Sequence, residues 1–249
     1  MTRTMRLTMF VIAGGVVAAM LVLGVLDLPD FGSAFHPYRD AAVPAAVAHA
    51  TSNVISSVNF DLRGMDTLGE ETILLTSVLG VAVLLRPAED EEEQKPPRAG
   101  RLLDATRLFG YVFLPVTLAV GFTTVAHGAL TPGGGFQGGV VLGTGIHLLY
   151  VAGSYDAIER MRPVHVLEFG EAIGAGAFAC FGIAGAVVSA SFLGNLLPLG
   201  TFGELFSSGS VLFLSIAVGV EVASGVIVLL AQFLRQTIEV EPAGQRGAR

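Results

Sequence analysis

The sequence is short of charge. Aspartate, glutamate, lysine and arginine make up 14% of its 249 residues, against about a quarter in an ordinary soluble chain. That is too little to cover a surface facing water. Tryptophan is absent, and cysteine occurs once, as Cys180, so a disulfide scaffold is excluded. Cys180 lies in an apolar run and reads as a small buried residue. Basic patches are missing too, so nucleic-acid binding has no support. Spacing assembles no metal cluster, no Ser-His-Asp set and no thiol chemistry. No catalytic residue, metal or cofactor is therefore expected. The net charge of −7 does not imply a basic partner, because five acids lie together in Glu89–Glu93.

What is present is apolar. The residues AVILMFWYC reach 52%, and the mean hydropathy is +0.69. That content excludes disorder, and the 32 glycines show no collagen period. Spanning a hydrocarbon core of about 30 Å takes about 20 apolar residues in a helix. Leu7 to Leu26 is such a run, behind Arg3 and Arg6. It lacks the shorter apolar region and clear cleavage site of a signal peptide, so it reads as a retained helix. Thr72 to Leu85 is long enough if the helix begins at Thr67. Leu108 to Tyr155 carries no formal charge and is broken at Pro132-Gly133-Gly134-Gly135. At 1.5 Å per residue it covers about 72 Å, two crossings with a tight return. Further spans run from Val164 into the 180s and from Gly209 to Leu234. The expectation is an all-α polytopic membrane protein of about six transmembrane helices, with five to seven allowed.

Lysine and arginine set the orientation. With the N terminus inside, the inner segments hold Arg3, Arg6, Arg86, Lys95, Arg98, Arg101, Arg107, Arg160, Arg162, Arg235, Arg246 and Arg249, and the outer ones only Arg39 and Arg63. Both termini are therefore expected to be cytoplasmic. The charged, proline-containing segment 86–107 reads as a cytoplasmic linker. It divides a two-span module, 1–85, from a four-span domain, 108–235, followed by a tail, 236–249. In the long outer stretch Asp27–Met65, the piece Ala45–Asn59 suggests a short interfacial or re-entrant helix.

Several residues stand out against this background. Gly133, Gly135 and Gly138 formally spell GxGxxG, but a dinucleotide site needs a preceding strand, and here an apolar helix precedes. The string Pro132-Gly133-Gly134-Gly135-Phe136-Gln137-Gly138-Gly139 reads instead as a tight turn between membrane helices, or as non-helical backbone held at membrane depth. Thr67 and Glu70 fit a capping box. Glu71, on another side of the same helix, needs a partner, water or a proton. Glu221 lies near the middle of the last span, where a carboxylate marks a polar cavity, an ion path or a proton relay; the plainer reading is a protonated packing donor. His165, Glu168 and Glu171 follow Pro163 at a spacing of three, with Glu171 about 12 Å along the helix. With His147 they could form a proton entry on the cytoplasmic side, or each could make a plain inter-helix hydrogen bond. A bis-histidine haem is disfavoured, since His127 and His147 lie at opposite depths and no other haem feature accompanies His147 and His165.

Thr131-Pro132-Gly133-Gly134-Gly135-Phe136-Gln137-Gly138-Gly139 between two spans resembles the signature of the MnhB-like subunit of the Mrp-type multisubunit cation/proton antiporters, and of the equivalent subunit of membrane-bound hydrogenase complexes. The likeness covers about Leu102 to Leu234, including Glu221. In the front part, Asn53-Val54-Ile55 and Asp61-Leu62-Arg63-Gly64-Met65-Asp66-Thr67-Leu68-Gly69-Glu70 resemble the C-terminal segment of the large, A-type subunit of the same antiporters. In the hydrogenase-type complexes that segment is a separate small, E-type subunit. The chain thus looks like a fusion of two modules that many relatives keep apart. The resemblance implies exchange of Na⁺ or K⁺ for H⁺ across the cytoplasmic membrane, with the other antiporter subunits as partners and no redox cofactor. The family's large subunits carry intramembrane lysines; Lys95 lies in the linker, so an accessory subunit is implied. On that basis Glu221 and Glu171, with Glu70, Glu71 and Asp66 at the outer end of span two, are expected to line a hydrated half-channel. The alternatives are the membrane arm of a redox-driven complex and a purely structural membrane subunit.

Overall fold

The computed structural model describes residues 3–28, 32, 34–85, 103–152 and 164–234. The described residues are helical, with no strand among them: α1 (Arg3–Leu26), α2 (Pro37–Ala48), α3 (Val54–Ser57), a π-helical turn (Val58–Leu62), α4 (Gly64–Leu84), α5 (Asp104–Ala126), α6 (Gly135–Val151), α7 (Val164–Ser189) and α8 (Val211–Leu234). Five of these, α1, α4, α5, α7 and α8, are long and apolar enough to cross a membrane. The remaining expected span, α6, has 17 described residues, at the lower bound for crossing. The chain is a polytopic membrane protein. Most of segment 86–107 and the whole of tail 236–249 lie outside the described residues, as do Arg160, Arg162, Pro163 and the side chain of His165.

Residues up to Ala41 form one compact unit and those from Ala42 another. In the first, every described side chain of α1 is exposed, as a lipid- or partner-facing helix requires. In the second, α8 is the axis. Its apolar window is 67% buried, against 17% for α4 and α5 and 22% for α7. It packs against α4, α5, α6 and α7, while α5 and α6 pair as a hairpin. Phe60, Phe178, Val211, Leu214, Val218 and Val222 form the apolar centre around it. Large apolar side chains such as Phe109, Phe113 and Phe122 on α5 point outward. Bilayer is the solvent in which such a surface is stable. Residues 42–85, though separated from the rest in sequence by the charged segment, pack in the same unit as the four later helices.

Three local expectations are corrected. Cys180 is exposed rather than buried, because in a membrane helix an apolar run clothes the outside as well as the core. The capping box does not form: α4 starts at Gly64 after Arg63, with no side-chain cap. Thr67 lies inside the helix, and its hydroxyl donates to the Asn59 carbonyl at 2.7 Å. The helix expected over Ala45–Asn59 is broken. α2 begins at Pro37 and carries Pro44 within it, then stops before a turn in which Asn53 caps α3.

Candidate functional site: three buried carboxyls around the central helix

Glu71 of α4, Glu171 of α7 and Glu221 of α8 are 1%, 2% and 0% exposed. Both carboxyl oxygens of Glu71 and of Glu221, and Oε1 of Glu171, have no hydrogen-bond partner among the described residues. None of the three enters an ion pair there either. Glu221 interacts electrostatically with both Glu71 and Glu171. With Glu221 the member common to both pairs, the three carboxyls are treated as a row within the bundle. A carboxyl taken out of water requires a proton, a cation or a hydrogen-bond donor, and three in succession offer consecutive places for protons or small cations.

Glycine makes the row possible. A Cβ placed on Gly174 would stand 2.7 Å from Glu221 Cβ and 2.8 Å from its backbone nitrogen. One placed on Gly225 would stand 3.2 Å from Glu171 Oε1 and from Val78 Cγ2 of α4. Gly170 faces Ser224 in the same way. The Gly170-xxx-Gly174 spacing thus brings α7 onto α8 at backbone distance. This close approach sets Glu171 one turn beyond Glu221 along the seam. His147 of α6 lies beside Val226 of α8, next to Gly225, and its Nε2 is buried with no hydrogen-bond partner among the described residues.

The other expected acids lie apart from this row. Asp66 and Glu70 are on the exposed side of α4, and Asp66 pairs with Arg63. Glu168 is exposed and interacts electrostatically with Glu171. Among the described residues no cluster of three or more His, Cys, Asp or Glu side chains could hold a metal ion.

The glycine string is a packing device. Gly133 and Gly134 take φ of +146° and +129°, a backbone open to glycine alone without strain. They reverse the chain so that α6 starts at Gly135. Gly139 then lies against α8, where a Cβ would come within 2.9 Å of the Gly219 carbonyl and 2.7 Å of Val222 Cβ. Gly135 meets the Ser215 carbonyl and Val218 likewise, and Gly138 meets Val125 of α5. Phe136 is half-buried against the apolar centre, and Pro132 is exposed.

Sequence reading named Asn53 and Asp61 only as part of a resemblance and passed over the polar layer they join beside this turn. Asn53 Nδ2 donates to the carbonyls of Gly128 and Thr131 at 2.8 and 2.9 Å, and its backbone N–H to Ala129 at 3.0 Å. Ser208 Oγ donates to the Ala50 carbonyl, and Asn195 Oδ1 accepts from Ser210 N–H at 3.0 Å. His49 Nδ1 contacts the Asp61 carboxyl. The available signal was the density of Ser, Asn, Asp and His in a stretch otherwise apolar.

Together these features define a multi-pass helical membrane protein whose bundle interior carries carboxyls. Residues 105–228 match the family described as a domain related to the MnhB subunit of Na⁺/H⁺ antiporter, and residues 1–98 match MbhE, the E-type subunit of MBH. The two matches fall on successive parts of the chain, the MbhE match on its front part and the MnhB-related match behind it. It is 28% identical over 194 residues to an uncharacterized protein of Methanocaldococcus jannaschii, covering 70% of this chain and 73% of that one. It is 31% identical over 139 residues to a probable K⁺/H⁺ antiporter A/B subunit of Rhizobium meliloti, covering 47% of this chain but 14% of that much longer protein. Its fold is shared with a chain of the archaeal membrane-bound sulfane sulfur reductase, a respiratory membrane complex (TM-score 0.71, 24% identity, 92% of this chain and 98% of that one). It is also shared with part of a chain of the Mrp complex of Dietzia sp. (TM-score 0.69, 23% identity, 97% of this chain and 27% of that one).

Proposed function

We propose that this chain is an accessory subunit of a multisubunit Na⁺ or K⁺/H⁺ antiporter in the cytoplasmic membrane, with both termini cytoplasmic. Glu71, Glu221 and Glu171 form the inner part of an ion and proton pathway. The observation that carries this is the row of buried, unpartnered carboxyls contributed by three different helices. Glu70, Asp66 and Glu168 stand outside the row and supply negative potential at its approaches, while His147 adjoins its Glu171 end. The chain performs no covalent chemistry. A moving charge crosses a field worth about 2.3 kcal/mol per 100 mV, so acids at intermediate depths divide one costly transfer into shorter steps. Partners are the remaining subunits of the complex.

The test is Glu221→Gln in membranes where the complex still assembles, measured as Na⁺- and K⁺-driven proton movement in everted vesicles. Exchange is expected to fall by about tenfold or more, a barrier increase of about 1.4 kcal/mol. Unchanged exchange at wild-type complex levels would overturn the role of Glu221.

A second reading, the membrane arm of a redox-driven complex, draws on the shared fold with almost the whole of the sulfane sulfur reductase chain. Co-purification of a flavin- or iron–sulfur-containing module with this chain would favour it over a stand-alone antiporter.

A further inference from the structure

Within residues 49–62, between the end of α2 and the start of α4, polar side chains are concentrated and several are unsatisfied. The hydroxyls of Ser52, Ser56 and Ser57 are buried and have no hydrogen-bond partner among the described residues, and the whole side chains of Ser56 and Ser57 are 2% and 0% exposed. A serine hydroxyl inside a helix ordinarily satisfies itself on the carbonyl one turn back, as Thr72, Thr76 and Ser77 of α4 do. Ser56 and Ser57 do not, and Ser52, just before the helix, has no partner either among the described residues. Each unsatisfied buried polar atom carries a desolvation cost, and three within six residues call for an explanation.

Ser52 lies in the bend just before the Asn53 cap, Ser56 and Ser57 lie in the short helix that follows, and Ser57 is about one turn before Asp61, whose carboxyl is nearly buried and faces half-exposed His49. The backbone here is a π turn, a conformation common at functional sites because it displaces carbonyls from the regular ladder. One of those carbonyls, on Asn59, is held by Thr67, which lies one turn before Glu71 on α4. The segment therefore runs from a half-exposed His–Asp pair, past buried hydroxyls, to the helix that carries the first carboxyl of the row. Hydroxyl and carbonyl oxygens beside a carboxyl suit a weakly hydrated monovalent cation, which takes neutral oxygen ligands as it sheds water.

We propose that Ser52, Ser56 and Ser57, with Asp61, form a monovalent-cation subsite at the outer approach to Glu71, beside the contact between His49 and Asp61. The inference rests on the antiporter reading and adds to it where a cation is selected before it reaches the carboxyl row.

The experiment compares Ser56→Ala/Ser57→Ala with Glu221→Gln in the assembled complex, each titrated with Na⁺ and with K⁺. For the serine variant the apparent KM of the transported cation is expected to rise about tenfold, with the maximal rate within about twofold of wild type. Ser56→Thr/Ser57→Thr, which keeps both hydroxyls, restores the KM. In detergent, NaCl or KCl raises the melting temperature of the wild-type complex, and the serine variant loses that shift. A serine variant with wild-type KM and wild-type shift, beside a Glu221→Gln variant that has lost exchange, overturns the subsite and leaves the carboxyl pathway standing. Wild-type exchange in both variants overturns the two together. A serine variant that melts lower at every salt concentration, with its KM unchanged, shows that the hydroxyls serve folding only and also overturns the subsite.

Discussion

Asn53 commits both of its amide hydrogens to backbone carbonyls of the turn that precedes the glycine string. It also accepts from Ser56 N–H, though at 3.4 Å. Alanine at this position would leave the carbonyls of Gly128 and Thr131 without these donors, at a cost of about 2 kcal/mol. The expected result for Asn53→Ala is a lower melting temperature of the purified complex. An unchanged melting temperature would mean that water replaces both bonds without loss. At this scale the sequence was informative in one direction. Glu221 stood out because it interrupts an apolar run, and it proved fully buried. Glu70 and Glu71 are adjacent, and the sequence set Glu71 apart as the one needing a partner, although the capping role it gave Glu70 did not form. One helical step of 100° turns Glu71 inward and Glu70 outward. Cys180 failed for a related reason: a lipid-facing residue and a core residue have the same apolar neighbours in sequence.

Among the elements, α6 depends most directly on its glycines. Gly135 and Gly139 sit one turn apart on the face that meets α8, and Gly143 continues the row against Val226. A leucine at Gly139 would drive its Cβ into the Gly219 carbonyl and Val222. Overpacking of this kind costs about 1–3 kcal/mol, and here the obstacle is backbone that has little room to yield. Gly139→Leu is expected to reduce recovery of assembled complex several-fold, measured by co-purification, whereas Gly69→Ala, with open space around it, is expected to leave recovery unchanged. Equal recovery for both would show that the α6–α8 contact is not needed for assembly. The spans themselves were visible as long uncharged runs. The break inside Ala45–Asn59 was not, because it arises from hydrogen bonds to residues 128–131, far away in sequence.

For the whole molecule, the consequential fact is that α4 packs with α7 and α8, although the charged segment 86–107 intervenes in the chain. If those contacts and the Asn53 bonds join the two parts, the covalent link is dispensable. Residues 1–95 and 96–249, co-expressed as separate polypeptides, are expected to co-purify and to support exchange within about twofold of the intact chain. Failure to co-purify would show that the link itself holds them together. The sequence by itself determined that the protein lives in a membrane and roughly where its spans fall, and it suggested that both ends face one side. These follow from local quantities, apolar length and the placement of lysine and arginine. Only the tertiary structure decided which acids belong to one site. Glu71, Glu171 and Glu221 are brought into a row by helix rotation and by glycine contacts between α7 and α8, and both depend on pairing between distant segments.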